Sequence, residues 1–318
     1  MKIAVIFTGG TIGSRTNNGF LSPDDKCPYL LLENYKEKFG DVVEFVKSEP
    51  YTSLSETLNS QKLNLLIDEV NLKAREGVDG IIVTHGTDTL QYSAAALSLT
   101  VEPSLPICIV SSNYSLDDDR ANGNDNFMAA VELIKSGEKG VFIAYRNSDG
   151  VVYYHQADKL LRHREMSDEI FSVGGPYGKL VDGRVEFFQK NNTKAVVKGA
   201  HFVKTPGILS ITATPEDGFN YGLDGVKAVL LSPYHSGTLD VDSPSFGAFC
   251  YQAASRQIPI FVADVLDGDQ YATSKKFSEL RIISLNNEPS VSAFVKMWLA
   301  VSLDRDVKAF MCENPQGC

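Results

Sequence analysis

The sequence predicts an α/β protein made of two α/β domains with largely parallel sheets, a larger N-terminal domain and a smaller C-terminal one. Three observations lead there. Apolar runs of strand length recur at 3–7, 78–83 and 107–110, and each stops abruptly at a loop of small or polar residues. Runs that are apolar on both faces belong in sheets covered on both sides, which is how parallel sheets are built. Stretches of helical periodicity separate those runs, as βαβ units require. Finally, 318 residues with 43% hydrophobic content are enough for two cores.

Taken in order, residues 3–7 form the first strand, and Thr8-Gly9-Gly10-Thr11-Ile12-Gly13-Ser14 follows as a glycine-rich turn. Glycines there permit positive φ and close backbone approach, so the Thr11 hydroxyl can stand beside free amides, as a nucleophile beside an oxyanion hole does. A phosphate loop is the competing reading, but neither Gly-x-Gly-x-x-Gly nor a Gly-Lys-Ser/Thr ending is present. Residues 14–27 are polar and turn-rich, suited to a loop over the sheet end. A helix is expected over 29–39, a strand over 42–46, and a helix from about 57 to 76 with Ser55 and Glu56 at its start.

The run at 78–83 ends in His85-Gly86-Thr87-Asp88-Thr89, with Thr89 or Asp88 placed to cap the helix implied by Leu90, Ala94, Ala95 and Leu97. Two hydroxyls and a carboxylate at the carboxyl end of a parallel strand suit a ligand site as well as a cap. The strand at 107–110 again ends in a polar loop, Ser111-Ser112-Asn113. The acidic stretch 117–126 lacks the ligand spacing and terminal Glu of a calcium loop. Strands at 141–145 and 151–154 flank Asn147-Ser148-Asp149-Gly150, whose Asp-Gly step signals a hairpin. Turn-rich sequence fills 174–183, and residues 189–206 hold the linker between domains at 1–188 and 207–318. In the second domain we expect strands at 208–213, 228–231 and 258–265, and helices near 219–223, 244–256 and 291–303, the last with Trp298 on its apolar side.

The formal charge of −10 disfavours nucleic acid and anionic membrane surfaces as partners, since both select clustered Lys and Arg. Five widely spaced cysteines without a Cys-x-x-Cys pair indicate neither a disulfide framework nor a thiolate zinc site. No metal or cofactor is expected. The first apolar run is too short for the core of a signal peptide, and no run approaches the roughly 18 apolar residues of a bilayer span. A cytoplasmic setting fits these features.

The pair TGGTIGS and GIIVTHGTDTLQYSAAALS, with Ser55-Glu56, the segment 110–126 and the segment 229–237 in matching order, resembles the bacterial-type L-asparaginase family of amidohydrolases. The resemblance implies that Thr11 attacks the side-chain amide carbon of asparagine or glutamine, and that Thr87 is a second catalytic threonine. It implies that Asp88 pairs with the substrate's α-ammonium, that Ser55 binds its α-carboxylate, and that Glu56 also reaches the ammonium. Gly86 belongs to the same binding loop. A homo-oligomer, dimer or tetramer, is implied too, and Phe246, Phe249 and Tyr251 are apolar residues for an interface or for the core. Two positions depart from the family pattern. Phe20 stands where much of the family carries a loop tyrosine, and Arg162, in Lys159-x-x-Arg162, falls where a lysine completes a Thr-Asp-Lys triad. Arginine is charged at any working pH, so it holds charge but accepts no proton, and Lys159 or His163 are the alternatives. Three functions follow: hydrolysis of an asparagine-type amide, an asparaginase-like scaffold that binds without hydrolysis, or the amide-hydrolysing subunit of an amidotransferase. The last would be expected to carry an additional partner-binding segment, which neither terminus displays.

Overall fold

The computed structural model describes every residue except 18–19, 24–26, 103, 165, 191–196, 269–270 and 314–318; for 15–28 it describes no side chains. The chain folds as two compact units, Met1–His201 and Phe202–Cys318. In the first, the strands are β1 (Lys2–Phe7), β2 (Ser14–Asn17), β3 (Phe20–Pro23), β4 (Glu44–Ser48), β5 (Gly80–Thr84), β6 (Pro106–Val110), β7 (Gly140–Arg146), β8 (Val152–Gln156), β9 (Gly178–Val181) and β10 (Arg184–Phe187). The helices are α1 (Cys27–Phe39), α2 (Ser60–Arg75), α3 (Leu90–Thr100) and α4 (Gly123–Ser136).

Eight of those strands form one sheet in the order β10-β9-β8-β7-β6-β5-β1-β4, parallel from β4 through β7 and antiparallel beyond. The chain runs from β1 to β4 on one side and then returns to β5 on the other, so the winding reverses between β1 and β5. Such a switch point opens a crevice at the carboxyl ends of the two strands. The runs that looked apolar on both faces are so for a reason. Ile3, Val5, Phe7, Ile82, Cys108 and Val110 pack with Leu31, Leu32 and Tyr35 of α1 and Phe127 and Val131 of α4. Ile6, Ile81, Val83 and Ile109 alternate with them on the opposite face, where α2 and α3 lie.

The second unit is a four-stranded parallel sheet in sequence order, β11 (Ile208–Thr212), β12 (Ala228–Ser232), β13 (Ile260–Val265) and β14 (Ile282–Asn286). Its helices are α5 (Pro244–Ser255), α6 (Ala272–Lys275), α7 (Ser290–Ser302) and α8 (Val307–Cys312). Phe246 and Phe249 of α5 lie in its core against Val229, Leu231 and Val262, whereas Tyr251 is 77% exposed.

Several expected elements differ. Residues 219–223 are irregular, not helical: Phe219 has φ 49, and its amide bonds to the Asp217 carboxylate. The turn-rich stretch 174–183 contains β9, which pairs with β10 around a tight turn with positive φ at Asp182 and Gly183. Part of the polar stretch after Thr11 is a hairpin, β2 against β3. Trp298 is partly exposed and donates to the Val203 carbonyl. Cys312 is disulfide-bonded, which the spacing of the cysteines did not lead us to expect, and Cys108 and Cys250 are buried free thiols. No helix among the described residues is long and apolar enough to cross a membrane.

Candidate active site

Three loops meet at the β1/β5 switch point. After β1 the chain passes through Gly9 (φ 94) and Gly10 (φ 81) into a single 3₁₀ turn, Thr11–Gly13. The loop leading out of β4 lies alongside it: the Ser53 amide donates to the Thr8 carbonyl at 3.1 Å, and the Gly10 amide donates to the Ser53 carbonyl at 3.0 Å. Ser55 opens another 3₁₀ turn, Ser55–Thr57, just beyond, and α2 begins later, capped by Asn59. The third loop follows β5. A Cβ placed on Gly10 would collide with the backbone of Gly86, and one on Gly86 would collide with the Ser55 side chain. Backbone contact this close is available only to glycine, which explains both residues at those positions.

Side chains tie the loops together. Ser55 Oγ donates to Asp88 Oδ2 at 3.1 Å, Thr89 Oγ1 donates to the Ser55 carbonyl at 2.8 Å, and Thr8 Oγ1 donates to the Thr84 carbonyl at 2.7 Å. Thr89 is the N-cap residue of α3 by position, but its hydroxyl goes to Ser55 and makes no cap bond; Gln91 reaches back to the Asp88 carbonyl instead. The expected cap is thus replaced by a tie between loops.

His85 stabilises the loop from beneath. Its Nδ1 lies 2.9 Å from the Gly86 carbonyl and its Nε2 2.8 Å from Ser93 Oγ. A carbonyl only accepts, so Nδ1 carries the proton and Nε2 accepts from Ser93. Burial pulls the His85 pKa below its ordinary value, with the Gly86 bond opposing in part, so the ring is neutral. Tyr51, on the same loop as Ser53, buries its hydroxyl, and burial pushes its pKa up to about 12.

Of the residues singled out in the sequence, Thr11 and Thr87 stand half-buried on loops whose neighbouring glycines touch, Gly86 is buried between them, and Ser55 is hydrogen-bonded to the exposed Asp88. Glu56 is exposed beside Ser55. Arg162 is exposed on the segment after β8, and no hydrogen bond or ion pair among the described residues joins it to Thr87 or Asp88. His163 is turned to the Ser167 carbonyl, 2.7 Å away. The Phe20 side chain lies outside the described residues. Sequence reasoning passed over His85, Ser93 and Thr8. Their signal was the alternation itself, which puts His85 on the same strand face as Ile81 and Val83, under α3, where an unpaired imidazole would be costly. No cluster of metal-ligating side chains occurs among the described residues.

The chain matches the family model for the asparaginase N-terminal domain over residues 2–193. A glutamyl-tRNA(Gln) amidotransferase component from Methanococcus maripaludis is 28% identical, with 99% of this chain and 80% of that protein aligned. A glutaminase-asparaginase of Acinetobacter glutaminasificans is 26% identical over 74% of each chain. The fold is shared with the thermostable L-asparaginase from Thermococcus kodakarensis (TM-score 0.81, 19% identity, 98% of this chain and 96% of that one). It is also shared with a probable cytoplasmic L-asparaginase from Campylobacter jejuni (TM-score 0.76, 22% identity, 98% of each). With the family model spanning more than half of its length, this chain belongs to the asparaginase family of amidohydrolases.

Proposed function

We propose that the protein hydrolyses the side-chain amide of L-asparagine, or of a related ω-amide, with Thr11 as the nucleophile. The observation that carries this reading is the junction of Gly10, Gly86, Ser55 and Asp88, which brings the loops bearing Thr11 and Thr87 together at the switch point. In the first step Thr11 Oγ bonds to the amide carbon, the C–N bond breaks, and the hydroxyl proton goes to the departing nitrogen, which leaves as ammonia. Water then adds to the acyl ester, the C–O bond breaks, the carboxylate departs and Thr11 regains its proton. Backbone amides of the glycine turns are suited to the oxyanion. Thr87 assists the proton movements. Asp88, steadied by Ser55, matches a substrate α-ammonium, with Glu56 nearby and Ser55 also suited to the α-carboxylate. Arg162, exposed and joined to neither Thr87 nor Asp88 among the described residues, is no base, so the proton path runs through hydroxyls and the substrate nitrogen.

Ammonia release with asparagine, glutamine and short β- or γ-amides tests this. Thr11→Ala and Thr87→Val are expected to lower kcat by about 10³-fold or more. Turnover indifferent to both substitutions sinks the mechanism, and a ligand-induced rise in Tm without turnover by the native protein points to binding alone. The amidotransferase relative favours a second reading, in which the same site frees ammonia for another protein to use. Turnover of a free amino-acid amide by the isolated chain supports the first reading; ammonia release that requires a second protein supports the other. We also propose a homo-oligomer, to be read from its mass in solution.

A further inference from the structure

The strand registers align one transverse row of residues at the carboxyl edge of the first sheet. Phe7 pairs with Thr84, Thr84 with Val110 and Val110 with Ala144, so the next residues along, Thr8, His85, Ser111 and Tyr145, stand side by side. All four are buried, on the face that carries Ile81, Val83, Ile107 and Ile143. His155 of β8 sits opposite Ile143, two residues before Tyr145, and so shares that face. α3 packs over β7 here, and the 3₁₀ turn Ala157–Lys159 packs against α3. A polar layer therefore interrupts an otherwise aliphatic core.

Thr8 and His85 are satisfied within the protein. Ser111 Oγ, Tyr145 Oη and His155 Nε2 have no hydrogen-bond partner among the described residues, although Ser111 and Tyr145 are 0% exposed and His155 2%. The Tyr145 hydroxyl faces the Asn122 amide without hydrogen-bond geometry. That amide is engaged elsewhere: its oxygen accepts from the Asn113 amide and its nitrogen donates to the Arg146 carbonyl. His155 Nδ1 is occupied by Ser172 Oγ at 2.7 Å. Leaving one such group dry is costly, and these three lie on, or just beyond, the adjacent strands β6, β7 and β8.

We propose that Ser111, Tyr145 and His155 line a hydrated pocket at the carboxyl edge of the sheet, and that its water holds the row together and positions the Thr87 loop. An internal water needs two to four polar partners, and these residues supply three, with the Ser93–His85 pair next along the row. The three unpartnered groups are two hydroxyls and an imidazole nitrogen, which suit a small uncharged ligand such as water. The link to the loop is short. Ser111 neighbours His85 across β5 and β6, the His85 amide donates to the Val110 carbonyl, and the His85 ring fixes the Gly86 carbonyl one residue before Thr87. Ser111, Tyr145 and His155 are thus positioning residues, a role that rests on the amide-hydrolase reading above, whereas the pocket itself does not.

Tyr145→Phe and Ser111→Ala give opposite signs for a wet and a dry pocket. Removing a hydroxyl that is bonded to water lowers Tm, while removing one that is buried dry and unpaired raises it. Both variants are expected to melt a few degrees lower, and a high-resolution crystal structure is expected to show water within hydrogen-bond distance of Tyr145 Oη and His155 Nε2. A rise in Tm for both variants, or an empty map there, overturns the pocket whether or not the protein hydrolyses amides. For positioning, Tyr145→Phe should lower kcat on the order of tenfold with KM unchanged. An unchanged kcat in a protein that turns over asparagine overturns that role and leaves the amide-hydrolase reading standing.

Discussion

Gly10 meets two demands at once, a φ of 81 and contact with the backbone of Gly86. Gly137, the left-handed residue after α4, meets only the first, with open space around it at φ 73. The two therefore separate strain from collision. Gly137→Ala is expected to cost about 1 kcal/mol of stability and leave activity intact. Gly10→Ala must push the Thr11 and Thr87 loops apart, and we expect at least about 100-fold lower kcat/KM alongside the lower Tm. Ser55→Ala removes the donor to Asp88 while keeping the loop, so KM for asparagine should rise on the order of tenfold with a smaller change in kcat. At this scale the sequence disclosed residue types better than their partners. The loops that carry Thr11, Thr87 and Asp88 were visible because small and polar residues stop apolar strands, but the pairing of Thr89 with Ser55 in place of a cap needed a contact 34 residues away in sequence.

Among the elements, parallel strands buried on both faces announced themselves as continuous apolar runs, and β1, β5 and β6 lie where those runs are. Elements with one wet face did not. β10 has three exposed residues of four, and β14, only partly buried, has its apolar residues interrupted by Ser284. The stretch 219–223, where a helix was expected, has Phe219, Tyr221 and Leu223 at a spacing of two, which is that of extended chain, with Gly218 before them and Gly222 among them. The order of the strands, and with it the switch point, was not legible at all, since it depends on which side of β1 the chain returns to. α3 shows what that order accomplishes, for its Ser93 reaches His85 and the helix packs against β7. Ser93→Ala should leave His85 Nε2 without its donor and lower Tm. An unchanged Tm would mean that the imidazole does not depend on α3.

For the molecule as a whole, the two buried histidines set a pH dependence. Burial lowers the His85 pKa and brings that of His155 down to about 4, while both return to about 6.5 when the chain unfolds. Above pH 6.5 both states are neutral and the full stability is present. As pH falls below that value the unfolded chain takes up protons that the folded one refuses, so stability declines towards the folded values, near pH 4 for His155. Melting curves should therefore be flat from about pH 8 to 7 and slope downward from about 6.5 to 4, with a shallower slope in His155→Asn. The two units have separate cores, around Phe7 and Phe127 in one and around Phe246 and Val262 in the other, and the division into two α/β domains was readable from the restart of alternation after the polar stretch near 190.

Trapping the acyl-enzyme tests the role of Thr11 most directly. Rapid mixing with asparagine or glutamine, acid quenching and mass measurement of the protein should reveal one added aspartyl or glutamyl group, with the modified peptide mapping to Thr11 and the adduct absent from Thr11→Ala. An acyl group on any other residue, or undiminished ammonia release by Thr11→Ala, would contradict it.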